Sequence, residues 1–203
     1  MPPRDTIAAM AYLVIALQNL AALLPVWFGH WSVFALLGLY WFENVVTGVI
    51  QFEKMRLTER AQPRPEVFKL SQFFAIHYGA FTLAHGVFVL VFFGFLSDSA
   101  QAGGARLWWV SAIIVATTLW QSFQRDFVQR GEAQRANIDR LMFEPYGRVV
   151  VLHLVVLLGG YLALSTAHPR YVLLLLVLLK LCAELVTAHL KSGATRDRSA
   201  ATP

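Results

Sequence analysis

The sequence predicts an all-α protein, a polytopic transmembrane bundle of six helices with both termini in the cytoplasm. Two observations carry this. Of 203 residues, 57% are hydrophobic and only 14% charged, against about 25% charged in an average soluble domain. The charges also gather in short stretches between apolar runs of about 18–25 residues, the length that crosses a bilayer core. Disorder and an ordinary soluble globular fold are excluded.

The spans fall at about 6–28, 31–53, 70–96, 106–126, 148–167 and 169–190. Only Arg4 precedes the first apolar stretch, which runs from Thr6 to Phe28 with no small-x-small cleavage site before Pro25. It therefore reads as a retained span rather than a signal peptide. Gly29-His30 turns the chain into the second span, which carries Glu43 and Asn44 near its middle. Lys54 to Lys69 is a polar loop containing Pro63 and Pro65, and the third span holds His77 and His85. A Gly- and Ser-rich loop, Ser97 to Ala105, leads to the Trp108-Trp109 pair and the fourth span. Asp126 to Gly147 is a charged, partly amphipathic connector. The fifth span holds His153, and His168-Pro169 separates it from the sixth. One transmembrane domain, 1–190, is expected, with a disordered cytoplasmic tail over 191–203.

Lys and Arg fix the orientation. Arg4, five residues in 54–69, five in 125–148 and three from Lys191 onward lie on one side; Arg106 and Arg170 lie on the other. Under the positive-inside rule the rich side is cytoplasmic. The formal net charge of +5 is then topological, with anionic lipid headgroups at the cytoplasmic face as partners and no role for nucleic acid. Cys182 is the single cysteine, so an internal disulfide and a thiolate metal cluster are excluded. Gly86 and Gly94, eight apart on the third span, mark helix packing within or between chains, and leave a homo-oligomer open.

Ionisable residues inside spans are costly and face the protein interior. Here they are Glu43, His77, His85, His153, Lys180 and Glu184. Lys180 and Glu184, four apart, suit an intrahelical ion pair. At about 1.5 Å per residue, His153, Glu184, His77 and Glu43 lie about 8 to 15 Å from the cytoplasmic side and His85 about 22 Å. On the third helix His77, Ala80, Ala84 and His85 share a wedge of about 140°. Its small residues let a neighbouring helix approach, which directs both histidines into a packed seam. Tyr40, Glu43 and Thr47 share a side of the second.

Imidazole and carboxylate are the donors that Zn, Fe and related divalent ions take when no thiolate is offered. The expected ligands are Glu43, His77 and His153, with His85 in a second position or site, because His77 and His85 are about 12 Å apart along their helix. Tyr40, Gln121 and Glu184 are the expected outer partners, each able to receive a ligand's second ring N–H. The expected cofactor is a divalent transition metal, Zn first, Fe or Mn next.

The segments Tyr40-Trp41-Phe42-Glu43-Asn44-Val45-Val46, His77-Tyr78-Gly79 through His85-Gly86, and Glu144-Pro145-Tyr146-Gly147-Arg148 through His153 resemble those of an uncharacterised family of bacterial integral membrane proteins, over about residues 35–165. The resemblance implies a multi-pass protein of the bacterial inner membrane and treats Glu43, His77, His85 and His153 as one set. It brings no activity.

Three functions fit these residues. One is a metal-binding membrane protein, extending to a membrane-embedded metal-dependent hydrolase in which the metal lowers the pKa of a bound water. No H-E-x-x-H or G-x-S-x-G motif accompanies it, so whether the chain is an enzyme stays open. Another is a proton-coupled transporter or channel using the same groups at staggered depths. The third is a haem protein with His77 and His153 as axial ligands, which leaves Glu43 without a role.

The orientation has a direct check. Reporter fusions at Ala102 and at the C-terminus are expected to give opposite signals; equal signals would show the span count to be wrong.

Overall fold

The computed structural model describes residues 33–63, 69–93, 104–147, 149–150, 153–154, 177–179 and 181–182. Contacts divide the chain into two units: one is Ser32–Val150; the other, Met1–Trp31 with Val151–Pro203, contains His153. The described residues form helices joined by turns and contain no strand. The first span, and all but a few residues of the fifth and sixth, lie outside the described residues.

Helix α1 spans Val33–Ala61, eight residues past the expected end of its span. Nothing in Lys54–Ala61 breaks a helix. Thr58 Oγ1 donates to Lys54 O at 2.9 Å, Arg56 pairs with Glu53 at 3.2 Å, and Met55 is fully buried. Pro63 supplies the stop, because proline disfavours helical geometry at the residue before it. At 29 residues the helix is about 43 Å long, at 1.5 Å per residue, and exceeds a hydrocarbon core of about 30 Å.

Helix α2 spans Leu70–Phe88 and continues as a π-helical turn, Val89–Phe93. Its first turn carries no acidic residue and no cap of its own. Glu59 of α1 does that work. Its carboxylate accepts from Ser71 N–H at 2.8 Å and from Ser71 Oγ at 2.6 Å, which satisfies an otherwise orphaned amide and places negative charge at the positive end of the helix.

Packing of α2 on α1 rests on two close approaches. A Cβ on Gly48 would overlap the Tyr78 ring, and one on Gly86 would fall 2.6 Å from the Trp41 indole. Each glycine is the hole for an aromatic knob from the other helix. Trp41 Nε1 donates to Thr82 O at 2.8 Å and Tyr78 OH to Asn44 O at 3.1 Å. The pairs Trp41–Thr82, Gly48–Tyr78 and Glu59–Ser71 make the two helices antiparallel.

Helix α3 spans Gly104–Phe123 and ends in a second π-helical turn, Gln124–Val128. Trp108 Nε1 donates to Ala35 O at 2.9 Å, and Lys54 Nζ sits 5.7 Å above the Phe127 ring. Both contacts join residues 73 apart in sequence, so α3 runs parallel to α1. Trp108 is a staple between helices; Trp109 beside it is exposed.

The expected 126–147 connector is an ordered cap. Gly131, at φ 64°, turns the chain in the left-handed region that glycine tolerates. A 3-10 turn, Glu132–Gln134, follows. Helix α4, Ile138–Phe143, begins at Asn137, whose Oδ1 accepts from Arg140 N–H at 3.1 Å. Ile138, Leu141, Phe127 and Val149 close over Met55, Ile50, Phe74, Tyr78 and Phe123 in one core.

Outside that core, large apolar side chains stand exposed on α2 (Ile76, Leu83, Val87), on the π-helical turn after it (Leu90) and on α3 (Leu107, Val110, Ile113, Ile114). The segments Phe34–Ala61 and Leu70–Val91 are long and apolar enough to cross a membrane.

Candidate functional site

The expected metal set divides by surroundings. Glu43 is half-buried on α1, one turn from buried Tyr40 and beside buried Asn44. His85 is buried on α2, and its Nδ1 donates to Phe81 O at 2.8 Å. His77 departs from the expected seam: it is exposed, stacked on Phe73 (centroids 5.4 Å, planes 11° apart) and edge-on to Phe81 at 5.2 Å. Ala80 and Ala84 are exposed with it. The buried stripe of α2 is Ser71, Phe74, Tyr78 and His85. The reason is knob-and-hole fit. Gly48 and Gly86 provide the room for Tyr78 and Trp41, so the seam forms where large side chains meet glycine rather than where alanines cluster.

His153 is exposed and belongs to the other unit. Gln121, an expected outer partner, is exposed on α3, and Glu184 lies outside the described residues. Among the described residues, no three His, Cys, Asp or Glu side chains are grouped to hold a metal ion.

What the structure does align is a polar line on α1. Tyr40, Glu43, Thr47 and Gln51 follow one another at helical spacing, with Asn44 alongside. Tyr40, Asn44 and Gln51 are buried. Thr47 Oγ1 is also buried and has no hydrogen-bond partner among the described residues, although a helical threonine can turn its hydroxyl back to a carbonyl three or four residues earlier. The line spans about 16 Å of helix. At its cap end, Gln51 Nε2 donates to Leu141 O at 2.5 Å and lies 3.4 Å from Glu144 Oε2. Glu144 is half-buried there, whereas Asp126 of the same connector pairs with Arg125 at 3.2 Å and Arg130 at 3.4 Å.

Sequence reasoning missed Gln51 and Glu144. A signal existed for the first. Asn44, Gln51 and Thr58, all buried, recur every seven residues, which puts three polar groups on one face of a long helix. Nothing local distinguishes Glu144 from the other connector acids. Only the fold of the cap brings it to Gln51.

Gln62 repeats the role of Gln51 one layer out. Its Nε2 donates to Ala133 O at 2.9 Å and to Ala136 O at 3.0 Å. The two amides tie the cap to α1 through main-chain carbonyls, in addition to the apolar side chains it packs there.

Residues 1–202 match a family of unknown function, DUF6498. The chain belongs to it. No curated protein and no solved structure matches the chain. The match covers the six expected spans and the polar line alike, and it assigns no activity to either.

The cap's attachment can be measured. Gln51→Leu keeps the side-chain bulk and leaves the Leu141 carbonyl without its donor, an expected cost of about 1–3 kcal/mol. Hydrogen exchange of the amides in 138–149 is expected to speed up in that variant while α3 stays unchanged. Unaltered exchange in the cap would show that Gln51 does not hold it.

Proposed function

We propose that this is a six-span protein of the bacterial inner membrane, with both termini cytoplasmic, that conducts protons coupled to passage of a small solute along the polar line of α1. The observation that carries the reading is the dispersal of its polar groups. Hydroxyl, carboxyl, hydroxyl and amide succeed one another from Tyr40 through Glu43 and Thr47 to Gln51, with Glu144 at the cap end. A proton path needs groups at successive depths that water can bridge, and the buried hydroxyl of Thr47 is a place for such a water. An ion site needs the opposite, donors converging within about 2.0–2.2 Å of one point.

In this reading Glu43 is the group that takes and releases the proton, because it is the carboxyl at mid-span. Asn44, Thr47 and Tyr40 hold water beside it. Gln51 and Glu144 form the cytoplasmic mouth. The acyl-chain region contacts the apolar outer faces of α2 and α3, and the basic residues near the cap contact anionic headgroups.

The test is proton flux in proteoliposomes under an imposed potential, read with an entrapped pH dye, together with elemental analysis and an absorption spectrum of the purified protein. The expected result is a flux lost in Glu43→Gln and largely retained in Glu43→Asp, with no stoichiometric metal. The competing proposal is a divalent metal, Zn, Fe or Mn, on Glu43, His77 and His153 with His85 nearby. It would be established by a stoichiometric metal that disappears in both His77→Ala and His153→Ala, and that result, or a Soret band marking haem, would overturn the proton-path reading. So would a flux unaffected by Glu43→Gln.

A further inference from the structure

Two buried polar side chains on α1 are left over once its hydrogen bonds are assigned. Asn44 is 7% exposed. The Tyr78 hydroxyl bonds to its main-chain oxygen, but its side-chain amide makes no hydrogen bond among the described residues. Thr47 Oγ1 is buried and equally without a partner among them. Other threonines of the structure behave differently. Thr58 turns its hydroxyl to Lys54 O at 2.9 Å, and Thr117 turns its own to Ile113 O at 2.8 Å.

The two groups are neighbours. Asn44 and Thr47 stand three apart in sequence and Glu43 and Thr47 four apart, the spacings that bring side chains together on a helix. The Thr47 hydroxyl therefore lies between an amide and a carboxyl. All three sit about 15 Å along α1, inside a segment long and apolar enough to cross a membrane. In a hydrocarbon core of about 30 Å that is the middle. A buried amide and a buried hydroxyl left unpaired at that depth are costly, and two of them side by side call for something that pairs with both.

We propose that Glu43, Asn44 and Thr47 hold a monovalent alkali cation. Water would pair with the amide and the hydroxyl. A cation does the same and also balances the charge of an ionised Glu43. The donors are a carboxylate, an amide carbonyl and a hydroxyl, the oxygen ligands that hard cations take. One carboxylate sets the valence, because a single positive charge leaves the site neutral where net charge is expensive. A divalent ion calls for more anionic or imidazole ligands, and among the described residues no three such groups come together. The ion exchanges freely, unlike a resident Zn, Fe or Mn. The site rests on the two unpartnered groups; that its ion is the solute coupled to the proton rests on the reading above.

The test uses the full-length protein in nanodiscs, equilibrated in choline chloride at fixed pH, and measures binding of radioactive sodium and of radioactive rubidium as a potassium substitute. The expected result is saturable binding of at least one of them, untouched by an equal concentration of magnesium. Thr47→Val keeps the shape of the side chain and removes a hydroxyl without a protein partner; it is expected to weaken binding about tenfold. Asn44→Leu is expected to weaken it at least as much, and Glu43→Gln to abolish it. The bound ion should also raise the thermal midpoint of the wild type, since it binds only the folded state. The Thr47→Val midpoint in choline should be no lower than that of the wild type and should not respond to the ion. Absence of saturable binding of both ions, undiminished binding in Thr47→Val, or stronger displacement by magnesium than by sodium would each overturn the proposal. No ion binding alongside a proton flux that Glu43→Gln abolishes would overturn it and leave the proton path standing. Ion binding lost in Thr47→Val alongside a flux that ignores Glu43→Gln would support the site and sink the path.

Discussion

A helix that buries polar side chains along its length must find partners for them, and α1 is such a helix. Asn44, Gln51 and Thr58 are buried on it at seven-residue intervals. Unpaired, each would cost on the order of 1–3 kcal/mol. Thr58 satisfies itself against Lys54 O, whereas Gln51 reaches out of the helix to Leu141 O. That reach helps to hold the connector folded back on α1. Only residues that offer bare carbonyls at the right height, Leu141 and, for Gln62, Ala133 and Ala136, can serve. The cap core of Phe127, Ile138, Leu141 and Val149 over Met55 then adds burial to an arrangement that hydrogen bonds position. The same helix supplies the N-terminal cap of α2 through Glu59 and receives the Trp108 staple of α3. Remove α1 and each remaining element loses the group that fixes it.

Much of this organisation could be read from the sequence, and the part that could not has a common cause. Helices were legible from apolar run length. The start of α2 at Leu70 was marked by the polar, proline-containing stretch before it. The end of α1 lies beyond the apolar run, because charge alone does not stop a helix and no breaker precedes Pro63. The face of His77 differs from the expectation because small residues alone do not mark a seam. Small residues permit close packing, but they do not attract it without a large partner opposite, and among the described residues Ala80 and Ala84 stand exposed. The seam follows Tyr78 into Gly48 and Trp41 into Gly86, a complementarity between two helices that no single segment displays. Glu144 was hidden for the same reason.

Two features divide the chemistry of the described helices. On the inside of the helical layer, α1 strings carboxyl, amide and hydroxyl groups in line. On the outside, α2 carries a column of rings, Phe73, His77 and Phe81, with Tyr146 from the start of the next helix beside it. The cap joins them physically. Glu144 and Tyr146 are two residues apart, and one touches Gln51 on the polar line while the other touches His77. A disturbance that moves the Glu144–Tyr146 turn therefore has to be felt at both places.

Whether the polar face of α1 is wet is the central question, and substituted-cysteine labelling answers it most directly. Cys182 is the single native cysteine, so Cys182→Ser gives a blank background. Single cysteines at Tyr40, Glu43 and Thr47, and at Val49 as the outward control (55% exposed), would be treated in native membranes with a small water-borne methanethiosulfonate, which needs water to form the reactive thiolate. The account predicts rapid modification at positions 40, 43 and 47 and none at 49. Modification at 49 with silence at the other three, or silence at all four, would contradict it.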